Sequence, residues 1–322
     1  MLSSGRCRLG WARVAACLGS LVVVLSAMFA AGCDRAGSAQ RRDAASPAVE
    51  PGTAPAAEAV LTPDPAEPRP VSGAPLTFEQ VVRGEVDLVD LTYPLNEQTN
   101  YWPGDEYEPF RLRTIATLER DGVLSKAFSS PEHLGTHLDA PNHFVAGRKS
   151  VDQIAPSELF APGVVIDCSA QAALDADYQL SVADIEAWER EHGPIPQGAV
   201  VLLRSGWGRF WDQPSRYRNQ DVRGGLHFPG YSVEAARLLV EQRDCRGLGV
   251  DTLSIDHGPS RDFAVHKIVN GAGRYALENV AHLERLPPRG AYLVIAPIKI
   301  EAGSGGPARI FAVVPRDAEV SR

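Results

Sequence analysis

The sequence predicts a single mixed α/β domain of about 245 residues, carried behind an export leader and a tether. Three observations predict it. Seven short apolar runs are rich in β-branched residues and end at Gly or Pro, as buried strands do. Only three stretches carry helix signals, and they alternate with the strands in part. Between the leader and residue 76 the chain offers no apolar pattern from which a core could be built.

In chain order, Arg6, Arg8 and Arg13 form a basic start, and Val14 to Ala31 is almost wholly apolar. Ala30-Ala31-Gly32-Cys33 closes the run with the small residues of a cleavage site, so residues 1–32 read as an export signal. The cysteine in that position resembles a bacterial lipobox. Cys33 would then be the lipidated N-terminus, on the periplasmic side of the cell envelope. Plain cleavage and an uncleaved signal anchor are the other readings, and all three export the domain. Residues 33–75 are rich in Ala, Pro, Ser and Gly and hold no aromatic residue, which makes them a disordered tether.

Within residues 76–322, strands are expected at Val86–Leu95, Phe110–Leu118, Val164–Asp167 and Ala199–Leu203. Gly247–Ile255, Tyr292–Ile300 and Arg309–Val314 complete the set. Helices are expected from Ser181, a plausible N-cap, to His192 before Gly193-Pro194. Two more are expected, from Ser232 to about Arg243 and from about Arg274 to Glu284 before Pro287-Pro288. Trp207–Tyr231 reads as a long loop with aromatic residues among charges: a lid, a dimer arm or a merely decorative loop.

The formal charge is −8, and removal of the leader takes away three arginines and no acid. An acidic domain without a basic stretch is a poor nucleic-acid binder. Two cysteines, Cys168 and Cys245, remain in the domain; without a framework pattern they are expected to be reduced and buried.

The chemistry concentrates in His133-Leu-Gly-Thr-His137-Leu-Asp139-Ala-Pro-Asn-His143-Phe144, which holds three of the chain's eight histidines and a carboxylate. Imidazole and carboxylate are ligand types that suit zinc and manganese. His133, His137 and Asp139 share one parity and would share a face of an extended chain. In a straight strand, however, His133 and His137 would lie roughly 13 Å apart. Gly135 is the permissive position at which the chain can bend, and Gly135, Thr136 and Pro141 argue against a helix. A kinked strand and turn presenting two histidines and an aspartate to a cation is the expectation.

The same residues resemble the signature of the cyclase family, metal-dependent hydrolases that include bacterial kynurenine formamidase and isatin hydrolase. Tyr101-Trp102-Pro103-Gly104-Asp105 looks like its substrate-side tryptophan motif. His266 and Glu278 stand like its second ligand pair, and Asp251-Thr-Leu-Ser-Ile-Asp256 like its strand end. The resemblance runs from about residue 86 to about 315 and implies the swivelling β/β/α fold of that family. It also implies that His133 and His137 bind one divalent ion, that His266 binds another, and that Asp139 and Glu278 bridge both. Bridging carboxylates would offset the repulsion of two dications about 3.5–4 Å apart. Two zinc ions are the expected cofactors, with manganese as the alternative.

By the same resemblance His143 is the general acid/base, with a histidine that orients a metal ligand as the alternative role. Trp102 is a flat wall for an aromatic acyl group, or else an ordinary core aromatic. His257 is expected at the mouth as a substrate contact or in turn packing. His282 is expected to face solvent from a helix, His227 to line the pocket or sit in a loop, and His192 to carry charge at a helix C-terminus. Gly303-Ser-Gly-Gly-Pro307 lacks the lysine of a phosphate loop and reads as a tight turn. No Gly-x-Ser-x-Gly elbow is present, and no cysteine has the setting of a nucleophile. The expected activity is hydrolysis of a C–N amide or imide bond in a small aryl or cyclic substrate, closest to arylformamidase. Isatin-type lactam opening is the alternative within that chemistry, and an exported binding protein without turnover is the alternative outside it. Self-association is expected from the family.

Overall fold

The computed structural model describes residues 76–104 and 107–316. The leader, Cys33 and the whole of the tether lie outside them. The strands in chain order are β1 (Val86–Asp90), β2 (Arg111–Ala116), β3 (Ser125–Ser129), β4 (His137–Asp139), β5 (Phe160–Asp167) and β6 (Gln179–Leu180). They continue as β7 (Val200–Arg204), β8 (Gly230–Tyr231), β9 (Gly247–Val250), β10 (Tyr275–Glu278), β11 (Ala291–Pro297) and β12 (Gly305–Pro315). Eight form one mixed sheet in the order β1-β12-β11-β5-β7-β9-β10-β4, and β4 also pairs with the start of β12, which closes a barrel. The run β5-β7-β9-β10 is parallel and the other pairings are antiparallel. The protein is a mixed α/β structure, as its sequence predicts.

The central parallel strands are apolar on both faces because both faces are covered. Successive side chains alternate across a strand, and the two cores divide along that alternation. Val164, Ile166, Val201 and Leu203 join the cluster under the helices, whereas Val165, Val200 and Leu202 join the barrel interior with Leu138, Leu277 and Ile310. The covering helices are α1 (Val182–His192), α2 (Val233–Arg237) and α3 (Ala264–Gly271). Ser181 caps α1 as expected, with a capping box to Asp184. Helix α2 runs on into a π-turn at Leu238–Gln242, which carries it to the expected end near Arg243. Cys168 and Cys245 are free and buried; burial pushes the Cys168 thiol up to about 12, so neither a disulfide nor a reactive thiolate forms here. Among the described residues no helix is long and apolar enough to cross a membrane.

Several expectations are corrected. The segment expected as a helix from Arg274 to Glu284 is the buried strand β10 followed by a loop in which Asn279 and His282 have positive φ. Pairing with β9 and β4 overrides the helical preference of Ala-Leu-Glu. The strand expected over Gly247–Ile255 stops at Val250, and β3 and α3 had no expectation at all. Within Trp207–Tyr231 most of the aromatic residues turn inward. Trp207, Trp211, Tyr217 and Phe228 are buried in a third cluster with Leu226 and Leu253, and Trp102 and Tyr93 pack against it.

Candidate metal centre

The kink in the histidine segment is built by Gly135, at φ 64, where a Cβ would stand 2.9 Å from Leu95 Cδ2 and Thr99 Cγ2. Only glycine fits both the left-handed backbone and the crowding. With the chain bent there, the rings of His133 and His137 lie 5.3 Å apart, far closer than a straight strand would hold them. β4 then enters the barrel, and its register with β10 sets His137 opposite Glu278. Residues directly opposite in an antiparallel pair share a face, so the local motif receives its distant carboxylate from sheet pairing.

His266 arrives from the third side, on the first turn of α3. The Asp256 carboxylate accepts from the backbone N–H groups of Val265 and His266, both at 3.0 Å, and lies 2.7 Å from His266 Nδ1. Asp256 therefore caps the helix and fixes the imidazole with Nε2 turned inward. That nitrogen lies 3.2 Å from Asp139 Oδ2 and 3.0 Å from Glu278 Oε1. On the other side, His133 Nδ1 is 2.6 Å from Asp139 Oδ1, and His137 Nε2 is 3.2 Å from the same oxygen and 3.4 Å from Glu278 Oε2. Two triads result, His133–His137–Asp139 and Asp139–His266–Glu278, and Asp139 belongs to both.

The donor set fits divalent ions on two observations. His137 Nδ1 is 2.8 Å from the Gly135 carbonyl, which leaves Nε2 as the inward nitrogen, and that atom is buried without a hydrogen-bond partner. An orphaned buried polar atom calls for a missing partner. Charge points the same way. Burial opposes a charged His137, yet Asp139 and Glu278 override it and push its pKa up to about 10. His266 is raised well above its usual range against the same burial, by Asp139, Asp256 and Glu278. The enclosure thus demands positive charge, which protons or metal ions can supply.

His143 stacks on His133 with centroids 3.8 Å apart and lies 6.1 Å from the His266 ring. Burial pushes its pKa down to about 4, with His133 and His266 adding to the effect and the carboxylates opposing it. Its ring is therefore neutral at neutral pH. The centre opens into a cavity of about 270 Å³ walled by Trp102, Tyr107, Phe144, Leu253 and Phe263. The Trp102 ring lines the cavity and meets Phe228 and Phe263 edge-on.

The other histidines stay outside. His257 does not line the cavity: Asp256 turns the chain to cap α3, and the turn at His257–Gly258 packs its backbone against Phe228 and Gly230. His227 pairs with Asp177 and Asp221, His282 is exposed in a left-handed conformation, and His192 packs beside Trp188 in the last turn of α1. Of the lining residues Phe144, Phe263 and Tyr107, only Phe144, adjacent to His143, carries a local signal in the sequence.

Known proteins share this arrangement of chain. The family model described as "Putative cyclase" matches residues 89–257. Isatin hydrolase of Roseibium aggregatum is 32% identical over 255 residues, 74% of this chain and 95% of that enzyme. Kynurenine formamidase of Bacillus cytotoxicus is 27% identical over 224 residues, 69% of this chain and 95% of that enzyme. A solved isatin hydrolase bound to the product analogue thioisatinate aligns with a TM-score of 0.70 at 31% identity, covering 74% of this chain and 96% of its own. With the fold, the matched segment and these likenesses in agreement, the chain belongs to the cyclase family.

Proposed function

We propose that the protein is a metal-dependent hydrolase of the C–N bond in a small, planar aryl or cyclic amide. Arylformamide hydrolysis and isatin-type lactam opening are the two nearest chemistries. The higher identity to an isatin hydrolase and the likeness to one holding a product analogue favour the lactam. One observation carries the reading: two buried triads sharing Asp139 open onto an aromatic-walled cavity beside a neutral histidine. His133, His137 and Asp139 would hold one ion, Asp139, His266 and Glu278 the other, with zinc or manganese suited to the donors. When bound, such a pair polarises a carbonyl and makes ionised water available near neutral pH.

The residues of the chain do the rest. Trp102, Phe144 and Phe263 hold the aryl plane and exclude water from the centre. His143, unprotonated at neutral pH, takes the proton of the attacking water and returns it to the departing nitrogen. The carbonyl carbon gains the water oxygen, the C–N bond breaks, and acid and amine are released. A protein kept only for binding would not need His143.

The address belongs to the same proposal: the leader ending at Cys33 supports export, with the membrane touched only through that N-terminus. Self-association is supported by the β2–β3 hairpin, which leaves Leu112, Ile115 and Phe128 exposed. The purified protein, loaded with zinc or manganese, is expected to hydrolyse isatin or N-formylkynurenine faster than aliphatic amides or peptides. Trp102→Ala is expected to raise KM more than it lowers kcat. An aliphatic amide turned over best, with Trp102→Ala silent, would refute the substrate assignment.

A further inference from the structure

Each inward-facing histidine needs something to hold its other nitrogen, and the three solve this differently. His137 uses the Gly135 carbonyl and His266 uses the Asp256 carboxylate. His133 is the most exposed of the three, and its Nε2 is 2.9 Å from Ser304 Oγ, in the Gly303–Pro307 segment that reads in sequence as a plain turn. Ser304 is itself held. Its Oγ lies 2.5 Å from Glu132 Oε2, and its backbone N–H donates to the same oxygen at 2.9 Å.

Donor arithmetic gives this chain a direction. A carboxylate only accepts, so the one hydroxyl proton of Ser304 goes to Glu132. Ser304 Oγ must then accept from His133, which places a proton on Nε2 and leaves Nδ1 free to act as an inward ligand atom. The next residue encloses the ring. Gly305 lies opposite Asp139 in the β4–β12 pairing, and a Cβ there would stand 2.6 Å from His133 Cε1 and 2.5 Å from the Leu138 carbonyl oxygen. Glu132 belongs to neither triad, and its carboxylate meets the hydroxyl and the backbone N–H of Ser304.

We propose that Ser304 and Glu132 are positioning residues for His133, and that they set the affinity of the His133–His137–Asp139 position for a divalent cation. The Asp139–His266–Glu278 position is oriented by Asp256 and is independent of them. The inference deepens the metal-hydrolase reading and rests on it.

The test is zinc titration of metal-free protein against a competing chromophoric chelator, with the melting temperature of each metal-free variant as a control. Ser304→Ala is expected to weaken one of two zinc sites about 10–100-fold while leaving the other and the metal-free melting temperature unchanged. Glu132→Ala is expected to weaken the same site. The double variant should be no worse than Ser304→Ala alone, because the carboxylate acts through the hydroxyl. Two unchanged sites in Ser304→Ala would overturn the proposal and leave the metal centre standing. Equal weakening of both sites, or additive losses in the double variant, would overturn it too. A wild-type protein that takes up no zinc would overturn the metal reading beneath it.

Discussion

Tyr217→Phe tests whether the Trp207–Tyr231 segment is a fixed plug. The ring of Tyr217 is wholly buried, and its hydroxyl lies 2.9 Å from both the Asp251 carbonyl and Asn279 Oδ1. Phenylalanine keeps the packing, including the edge contact with Trp211 at 5.2 Å, and removes only the oxygen. The hydroxyl has one proton to share between these two acceptors, so its loss leaves a buried acceptor without a donor. Leaving a buried polar group unsatisfied costs about 1–3 kcal/mol. For a domain of this size each kcal/mol lowers Tm by roughly 2–4 °C, so a fall of roughly 2–12 °C is expected. Urea unfolding measures the loss directly, and limited proteolysis reports the segment itself. A plug is cut only as fast as the whole domain opens, whereas a lid is nicked under native conditions. A stability loss below about 0.3 kcal/mol, together with native-state cleavage between Trp207 and Phe228, would refute the anchored-plug argument.

Asp139→Ala should strip both ions, because its two oxygens face both sides of the centre; elemental analysis that finds one full equivalent retained would dismiss the shared carboxylate. His143→Ala is expected to keep metal content and fold while kcat falls by roughly 10²–10⁴; activity retained in the metal-replete variant would move the proton transfer to another group. Glu189 holds Arg243 through contacts of 2.7 and 2.9 Å, and the guanidinium keeps its carboxyl below the ordinary value of 4.5. A depressed acid contributes stability above its unfolded pKa and loses it as pH falls through the folded one. Glu189→Gln should therefore cost about 1 kcal/mol at pH 7, after allowance for partial exposure, and the gap to wild type should close as pH falls below 4.5. A gap that widened in acid would contradict that sign.

What the sequence makes legible in the fold follows from how local each signal is. Val164–Asp167 and Val200–Leu203 are covered on both faces, so burial writes an unbroken β-branched run that any reader can find. β10 is equally buried but is spelled Tyr-Ala-Leu-Glu, three of whose residues favour helices. Only its partners β9 and β4, distant in sequence, make it a strand. Helix α3 hides for a related reason. Its N-cap residue, Phe263, sits at φ 51 and offers no side-chain oxygen, and the carboxylate that satisfies its first N–H groups is Asp256, outside the helix altogether.

The site divides along the same line. His133, His137, Asp139 and His143 are legible because one kinked segment carries them all, and Gly135 announces the kink. Glu278 and His266 were found by resemblance alone; nothing in their own neighbourhoods says that a strand register and a capped helix bring them to 3.0 Å of each other. Asp256 is legible in sequence only as the end of a motif, yet its work is to hold His266, and the expectation of His257 at the mouth rests on its adjacency to that motif. Ser304 and Glu132 lie 171 residues and one residue from His133 in sequence. Neither has a ligand's spacing, so their chain to the imidazole exists only once β12 closes the barrel against β4. The residues that contact an ion can thus be read from chemistry and spacing, whereas those that orient the ligands depend on the closure that folding provides. A substitution in that outer set should change affinity for metal while every residue of the motif stays intact.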